Sequence, residues 1–260
     1  MYMLKEFIRS SFKSVGVGIT SDAELQRLRK AAKGGEDLTF VLMFPDDCSA
    51  PLLRNLGGSK SQLRQDLFVL AQLGFKRDGY FVEFGATNGV GLSNTHILEK
   101  SFGWRGILAE PAKCWHSQLK ANRSAIIETR CVWSVSGAVL KFNEVDDPEL
   151  STIEQFSSGD LHQKARESGK SYEVQTVSLN DMLEQHQAPS DMDYLSIDTE
   201  GSEFEILQKL DFNKYRFRVI TCEHNYTPMR EEIFNLLSRH GYVRKFTELS
   251  RFDDWYVKGS

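Results

Sequence analysis

From Tyr80 onward the chain alternates short apolar runs with stretches whose apolar residues recur at helical spacing. That rhythm predicts a parallel sheet with covering helices, because an inner strand is buried on both faces and a covering helix on one. Strands are expected at 80–84, 106–109, 125–128, 139–143, 174–177, 194–197 and 217–222. Helices are expected at 61–73, where Leu63, Leu67, Leu70 and Leu73 share a face, and at 91–102, 113–122, 179–185, 201–210 and 229–240. The runs 242–246 and 255–258 close the sheet as an antiparallel pair. The fold class is therefore α/β, a Rossmann-like sheet with helices on both faces.

Residues 1–58 are less regular and form an N-terminal helical extension, leaving 59–260 as the main domain. Leu4, Ile8, Phe12 and Val15 make an amphipathic stripe with Lys5, Arg9 and Lys13 between them, suited to packing on the domain or on a partner subunit, which leaves a homodimer open. A charge-rich helix over 23–33 breaks at Gly34-Gly35, and an apolar run over 38–44 stops at Pro45. Between Glu144 and Tyr172 lie Asp146, Asp147, Glu149, Ser151, Thr152, His162, Lys164 and Arg166, with Phe156 the aromatic exception. That polar stretch is either a solvated insertion or a cover for a hydroxylated acceptor.

Composition removes several classes. The formal charge of -4 over 260 residues lacks the basic excess of a protein held mainly by phosphates, so nucleic acid is not an expected partner. Cys48, Cys114, Cys131 and Cys222 form no close pair, which points to a reducing, cytoplasmic setting. No apolar run has the length of a membrane span, and the start of the chain lacks the layout of a secretory signal.

The chemistry concentrates at strand ends. Glu83 is followed by Gly85, Asn88, Gly89 and Gly91, an acidic strand end leading through small residues into a helix. The spacing is Gly-x-x-x-Gly-x-Gly, unlike the Gly-x-Gly-x-x-Gly that receives a pyrophosphate. A carboxylate beside the loop repels phosphates and suits a cationic ligand without them, such as S-adenosylmethionine. Glu110 ends the second strand, where an acid accepts hydrogen bonds from ribose hydroxyls.

Together with these acids, Gly91-Leu92-Ser93-Asn94-Thr95, the run from Gly103 through Glu110 to Pro111, and Asp198-Thr199-Glu200-Gly201-Ser202-Glu203 resemble the FkbM-type methyltransferase family. Upstream, Ser61-Gln62 and Gln65-Asp66 resemble the polar helix before that family's first strand. The resemblance implies a class I methyltransferase fold, S-adenosylmethionine as methyl donor and transfer to oxygen. It implies that Glu83, Gly85, Asn88 and Gly89 surround the methionine end with Ser93 and Asn94 nearby. Glu110 then holds the ribose, Cys131 and Val132 lie by the adenine, and Pro111 and Asp198 complete the set. Gln62 and Asp66 then reach the amino acid moiety, the alternative for both being simple helix capping or surface solvation. Arg123 is read either as a cofactor contact or as a charge at a helix C-terminus.

Methyl transfer to a hydroxyl needs positioning and a general base. Asp198, Glu200 and Glu203 stand at one strand end, and Glu223, His224 and Asn225 at the next. Capping of the helix near Gly201 explains the first three but not the second triplet. In one reading Asp198, Glu223 and Asn225 hold Mg2+ and Glu200 or His224 is the base; in the other His224 or Glu200 acts without metal. His96, His116, His162, His186 and His240 are surface or packing residues. The expected activity is O-methylation of a sugar, a glycan or a glycosylated small molecule, as in polysaccharide biosynthesis. The alternatives are a nicotinamide-dependent oxidoreductase acting on nucleotide sugars, a non-catalytic binding module of the same fold, and an RNA methyltransferase.

Overall fold

The computed structural model describes residues 22–145, 151–153 and 169–259. The N-terminal stripe of Leu4, Ile8, Phe12 and Val15 falls outside them, as do Asp146, Asp147, Glu149, Phe156, His162, Lys164 and Arg166 of the polar stretch. The chain divides into two units, residues 1–53 and 54–260. The first contains α1 (Asp22–Leu42) and most of α2 (Asp46–Asn55). Contrary to the expected break, α1 runs straight through Gly34 and Gly35. A Cβ on either glycine would meet nothing within 4 Å, so each costs the helix only backbone entropy, about 1 kcal/mol, which 21 residues absorb.

In the second unit the elements are α3 (Gln65–Gln72), β1 (Tyr80–Phe84), α4 (His96–Phe102), β2 (Arg105–Ala109), α5 (His116–Asn122) and β3 (Ile126–Glu128). There follow β4 (Cys131–Trp133), β5 (Val139–Glu144), β6 (Thr152–Ile153), β7 (Lys170–Ser178), α6 (Leu179–Gln185), β8 (Asp191–Ile197) and α7 (Glu203–Leu207). The chain ends with β9 (Arg216–Glu223), α8 (Met229–Arg239), β10 (Tyr242–Lys245), α9 (Thr247–Ser250) and β11 (Asp253–Lys258). Seven strands form one sheet in the order β10-β11-β9-β8-β1-β2-β3. The strands from β3 to β9 pair in parallel, while β11 runs antiparallel to both β9 and β10. Parallel pairing buries the central strands on both faces, which is why β1 and β8 read as apolar runs.

Alternate residues serve opposite faces. Val82, Phe84, Ile107, Leu195, Ile197 and Ile220 pack with Leu179 and Met182 of α6, Ile206 and Leu207 of α7 and Leu237 of α8. On the other face Trp255 stacks 4.8 Å from Phe68 of α3. The sheet therefore carries helices on both faces, and the order turns outward on either side of β1 and β8. A crevice forms at such a switch point, beyond the carboxyl ends of the strands.

A second sheet, β4-β7-β5-β6, is absent from the sequence reading, which placed 139–143 and 174–177 in the main sheet. Its core is Cys131, Phe142, Ile153 and Val174 against Ala112. Four helices also start later than the apolar spacing predicts: α3 at Gln65, α4 at His96, α5 at His116 and α7 at Glu203. Two of the delays have a visible cause. Before α4, Asn94 N and the Ser93 and Thr95 hydroxyls are engaged by Glu83. Before α7, Glu203 Oε1 accepts from Thr199 N and Gly201 N. The Asn94 amide is a donor that a helix from residue 91 would use, and the Glu203 contacts close the 199–201 turn that precedes α7. Among the described residues no helix is long and apolar enough to cross a membrane.

Candidate active site

The ends of β1 and β8 touch. Gly85 has φ 69°, and a Cβ there would lie 2.1 Å from the Asp198 carbonyl oxygen, so only glycine lets the two strand ends approach. Beyond this point the loop to α4 wraps around Glu83. Glu83 Oε1 accepts from Asn94 N at 2.7 Å; Oε2 accepts from Ser93 Oγ at 3.1 Å and from the Thr95 hydroxyl. Arg123 Nη1 stands 3.9 Å away. Burial pushes the Glu83 carboxyl upward, with the Arg123 charge and these donors pulling against it.

A cavity of about 380 Å³ opens at the switch point, within the range of small-ligand sites. Glu110, Pro111, Cys131, Val132 and Phe142 line it on the β2 side. Glu110 is buried and accepts from Thr87 N at 2.7 Å and Ala112 N at 2.8 Å. Burial first, then the charges of Asp198 and Glu144, outweigh those amides and push its carboxyl up to about 7. Burial also pushes the neighbouring Cys131 thiol up to about 12, so it stays a neutral packing group.

Across the cavity, carboxylate oxygens of Asp198, Glu200 and Glu223 lie within 4.8 Å of one another. Glu223 is held well above the usual carboxylate range by burial and then by the charges of Asp198, Glu200 and Glu203. Its Oε2 is buried and has no hydrogen-bond partner among the described residues. Asn225 Nδ2 donates to Glu200 Oε2 at 3.2 Å, and the Thr152 hydroxyl donates to the Glu200 carbonyl at 3.0 Å. Glu200, Asn225 and Tyr226 have φ of 59°, 43° and 57°. Left-handed conformations outside glycine cost on the order of 1–3 kcal/mol and gather where geometry serves function. Three close carboxylates cannot all stay ionised alone; they share a proton or attract a cation.

The structure sorts the sequence-predicted residues. Gln62, Glu83, Gly85, Asn94, Glu110, Pro111, Cys131, Val132, Asp198, Glu200, Glu223 and Asn225 line the cavity. Asp66, Asn88, Gly89, Ser93 and His224 do not. Asp66 accepts from Ser59 Oγ, Lys60 N and Leu67 N, so it closes its own turn instead of reaching the cavity. Asn88 Oδ1 accepts from Val90 N and Gly91 N and shapes the loop. Gly89, at φ 78°, lies against Leu119 and Arg123. His224 Nδ1 accepts from Tyr226 N at 3.0 Å and its Nε2 lies 3.8 Å from Asp254, outside the cavity lining. For a cation the natural third ligand is Glu200 in place of Asn225, whose amide nitrogen is turned to Glu200.

Several residues escaped the sequence reading. Tyr226 and Phe252 line the cavity beside the carboxylates, and Phe142 and Ile153 do so from the second sheet. Asp253, opposite Glu223 in the β9–β11 register, is buried and accepts from Gln65 Nε2 at 2.9 Å. Burial, with Asp198 adding to it against the Gln65 bond, pushes it up to about 8. Two acids opening an apolar strand, Asp253-Asp254 before Trp255-Tyr256, were the available signal.

The model of the methyltransferase FkbM domain matches residues 83–244. No curated protein matches the chain. Among solved structures, the chain is similar to a precorrin-6y C5,15-methyltransferase from Geobacter metallireducens at 14% identity and TM-score 0.40, covering 74% of this chain and 88% of that one. It is also similar to a SAM-dependent methyltransferase from Aquifex aeolicus at 10% identity and TM-score 0.37, covering 75% and 88%. A TehB-like SAM-dependent methyltransferase from Corynebacterium glutamicum follows at 11% and 0.36, covering 81% and 96%.

Proposed function

The chain belongs to the methyltransferase FkbM family, and from that premise we propose that it transfers the methyl group of S-adenosylmethionine to a hydroxyl oxygen of a sugar or glycan. Residues 59–260 make the catalytic domain and 1–58 an extension to it. The observation that carries the reading is that Asp198, Glu200 and Glu223 line the same cavity as Glu110. S-adenosylmethionine, when bound, supplies the methyl group and a sulfur able to leave with the bonding electron pair. Glu110 accepts from the ribose hydroxyls, Cys131, Val132 and Phe142 flank the adenine, and Gly85 and Asn94 lie at the methionine end. Asp198 and Glu223 hold and orient the acceptor's hydroxyls. Glu200, steadied by Asn225, takes the proton of the hydroxyl whose oxygen bonds to the methyl carbon.

The family membership removes the oxidoreductase alternative, and turnover distinguishes an enzyme from a binding module. Incubation with S-adenosylmethionine and a panel of methyl glycosides should yield singly methylated glycosides by mass spectrometry. Methylation of an amine or an RNA with every glycoside untouched would overturn the acceptor assignment.

A second reading is favoured by one observation, the buried Glu223 Oε2 without a partner among the described residues. Three carboxylate oxygens suit a hard divalent cation such as Mg2+, which would lower the pKa of an acceptor hydroxyl. Calorimetric titration of chelator-treated protein with Mn2+ should then show one saturable site that Glu223→Gln removes. Full turnover in the presence of chelator would end the metal reading.

A further inference from the structure

Arg123 caps the C-terminus of α5 and does not line the cavity, yet its buried guanidinium engages the cofactor loop at three residues. Nη1 donates to Gly89 O and Ser93 Oγ, each at 3.1 Å, and Nη2 donates to Thr95 Oγ1 at 2.9 Å. Nε donates to Glu99 Oε2 at 2.8 Å, tying the fork to α4. Ser93 and Thr95 pass the interaction on, because each hydroxyl accepts from Arg123 and donates its own hydrogen to Glu83 Oε2. Arginine and glutamate are thus joined through two hydroxyls in a closed ring.

That ring has something to hold. Between β1 and α4 the backbone turns at Gly85, Thr87, Gly89 and Leu92, with φ of 69°, 44°, 78° and 58°. Two of these are not glycine, so the conformation persists only where its surroundings impose it. The same loop presents Gly85, Thr87, Gly91, Leu92 and Asn94 to the cavity. Meanwhile both oxygens of Glu83 are engaged by residues 93–95.

We propose that Arg123 is the positioning residue of the S-adenosylmethionine loop, and that Glu83 acts on the cofactor through that loop instead of as a ligand to it. Arginine is required for its planar fork: a lysine ammonium carries the charge but cannot reach Glu99, Gly89, Ser93 and Thr95 together. The inference concerns only the cofactor half of the cavity and stands whatever the acceptor is.

Calorimetry with S-adenosylhomocysteine, run well below the melting temperature of each variant, tests it. Arg123→Lys should weaken binding about tenfold or more, the scale of a lost charge-assisted hydrogen bond. Glu83→Gln should weaken it to a similar degree, and the double variant no further than the weaker single one, because both changes disable one device. Thr95→Val, which removes one link and no charge, should give a smaller loss in the same direction, and it covers the case in which an Arg123 variant does not fold. Wild-type affinity in Arg123→Lys and Thr95→Val, with only the melting temperature lowered, would reduce the network to a fold-stabilising one and overturn the proposal. Additive losses for Glu83→Gln and Arg123→Lys would restore Glu83 as a direct ligand and overturn it equally.

Discussion

The two ends of the cavity handle buried charge in opposite ways. At the β1 end, Glu83 has a guanidinium nearby and a donor for each oxygen. At the β8 and β9 ends, Asp198, Glu200 and Glu223 crowd together with one oxygen, Glu223 Oε2, unpartnered among the described residues. A satisfied network makes a rigid cradle, whereas an unsatisfied one stores free energy that a ligand can release. In the proposed function the first end takes the cofactor and the second the acceptor hydroxyl and its proton.

The sharpest way to break this contrast is Glu200→Gln. Turnover should fall on the order of 10²–10⁴-fold, the usual weight of a general base, while S-adenosylhomocysteine affinity stays within about twofold. Equal losses in both measurements would show that the ends are not separable. Next comes Glu110→Ala, expected to weaken S-adenosylhomocysteine by about 10–100-fold, the range for hydrogen bonds to a charged group.

A pH series sharpens the same point. Glu110 titrates at about 7 in the free protein, and ribose hydroxyls donate to its ionised form, so S-adenosylhomocysteine affinity should rise as pH rises through about 7. Glu110→Gln should flatten that rise, and a rise that survives the substitution would assign it to another group.

Stability offers the most direct comparison. Between the unfolded carboxyl value and its raised folded value, a buried acid such as Glu223 keeps a proton that the unfolded chain has released; its contribution to stability therefore falls as pH rises through that window. Neutralising it should help: Glu223→Gln should raise stability at pH 8 by about 1 kcal/mol, read as a higher melting temperature, at the expense of activity. Glu83→Gln should instead lower the melting temperature, since it replaces the carboxylate that Asn94 N and the Ser93 and Thr95 hydroxyls donate to with an amide that offers them one acceptor oxygen. The smallest effect is expected of His224→Asn, with turnover within about threefold of wild type, because its ring faces Asp254 and not the cavity.

Residue order by itself determined the parallel sheet, through its apolar rhythm, the acids that stand at the ends of β1, β2, β8 and β9, and a glycine spacing unlike that of a pyrophosphate loop. These are local properties, written in adjacent residues by the alternation of burial and the needs of a turn. Tertiary structure decided which of those acids line the cavity and what engages them there. Amides and hydroxyls of their own loops engage Asp66 and Glu83, and the His224 ring lies toward Asp254 and outside the cavity lining. No sequence window joins Arg123 to Thr95 or brings Phe142 and Ile153 from the second sheet to the cavity wall. A strand end specifies that a carboxylate will stand there, but its charge, its partners and its direction are set by whatever the fold packs around it.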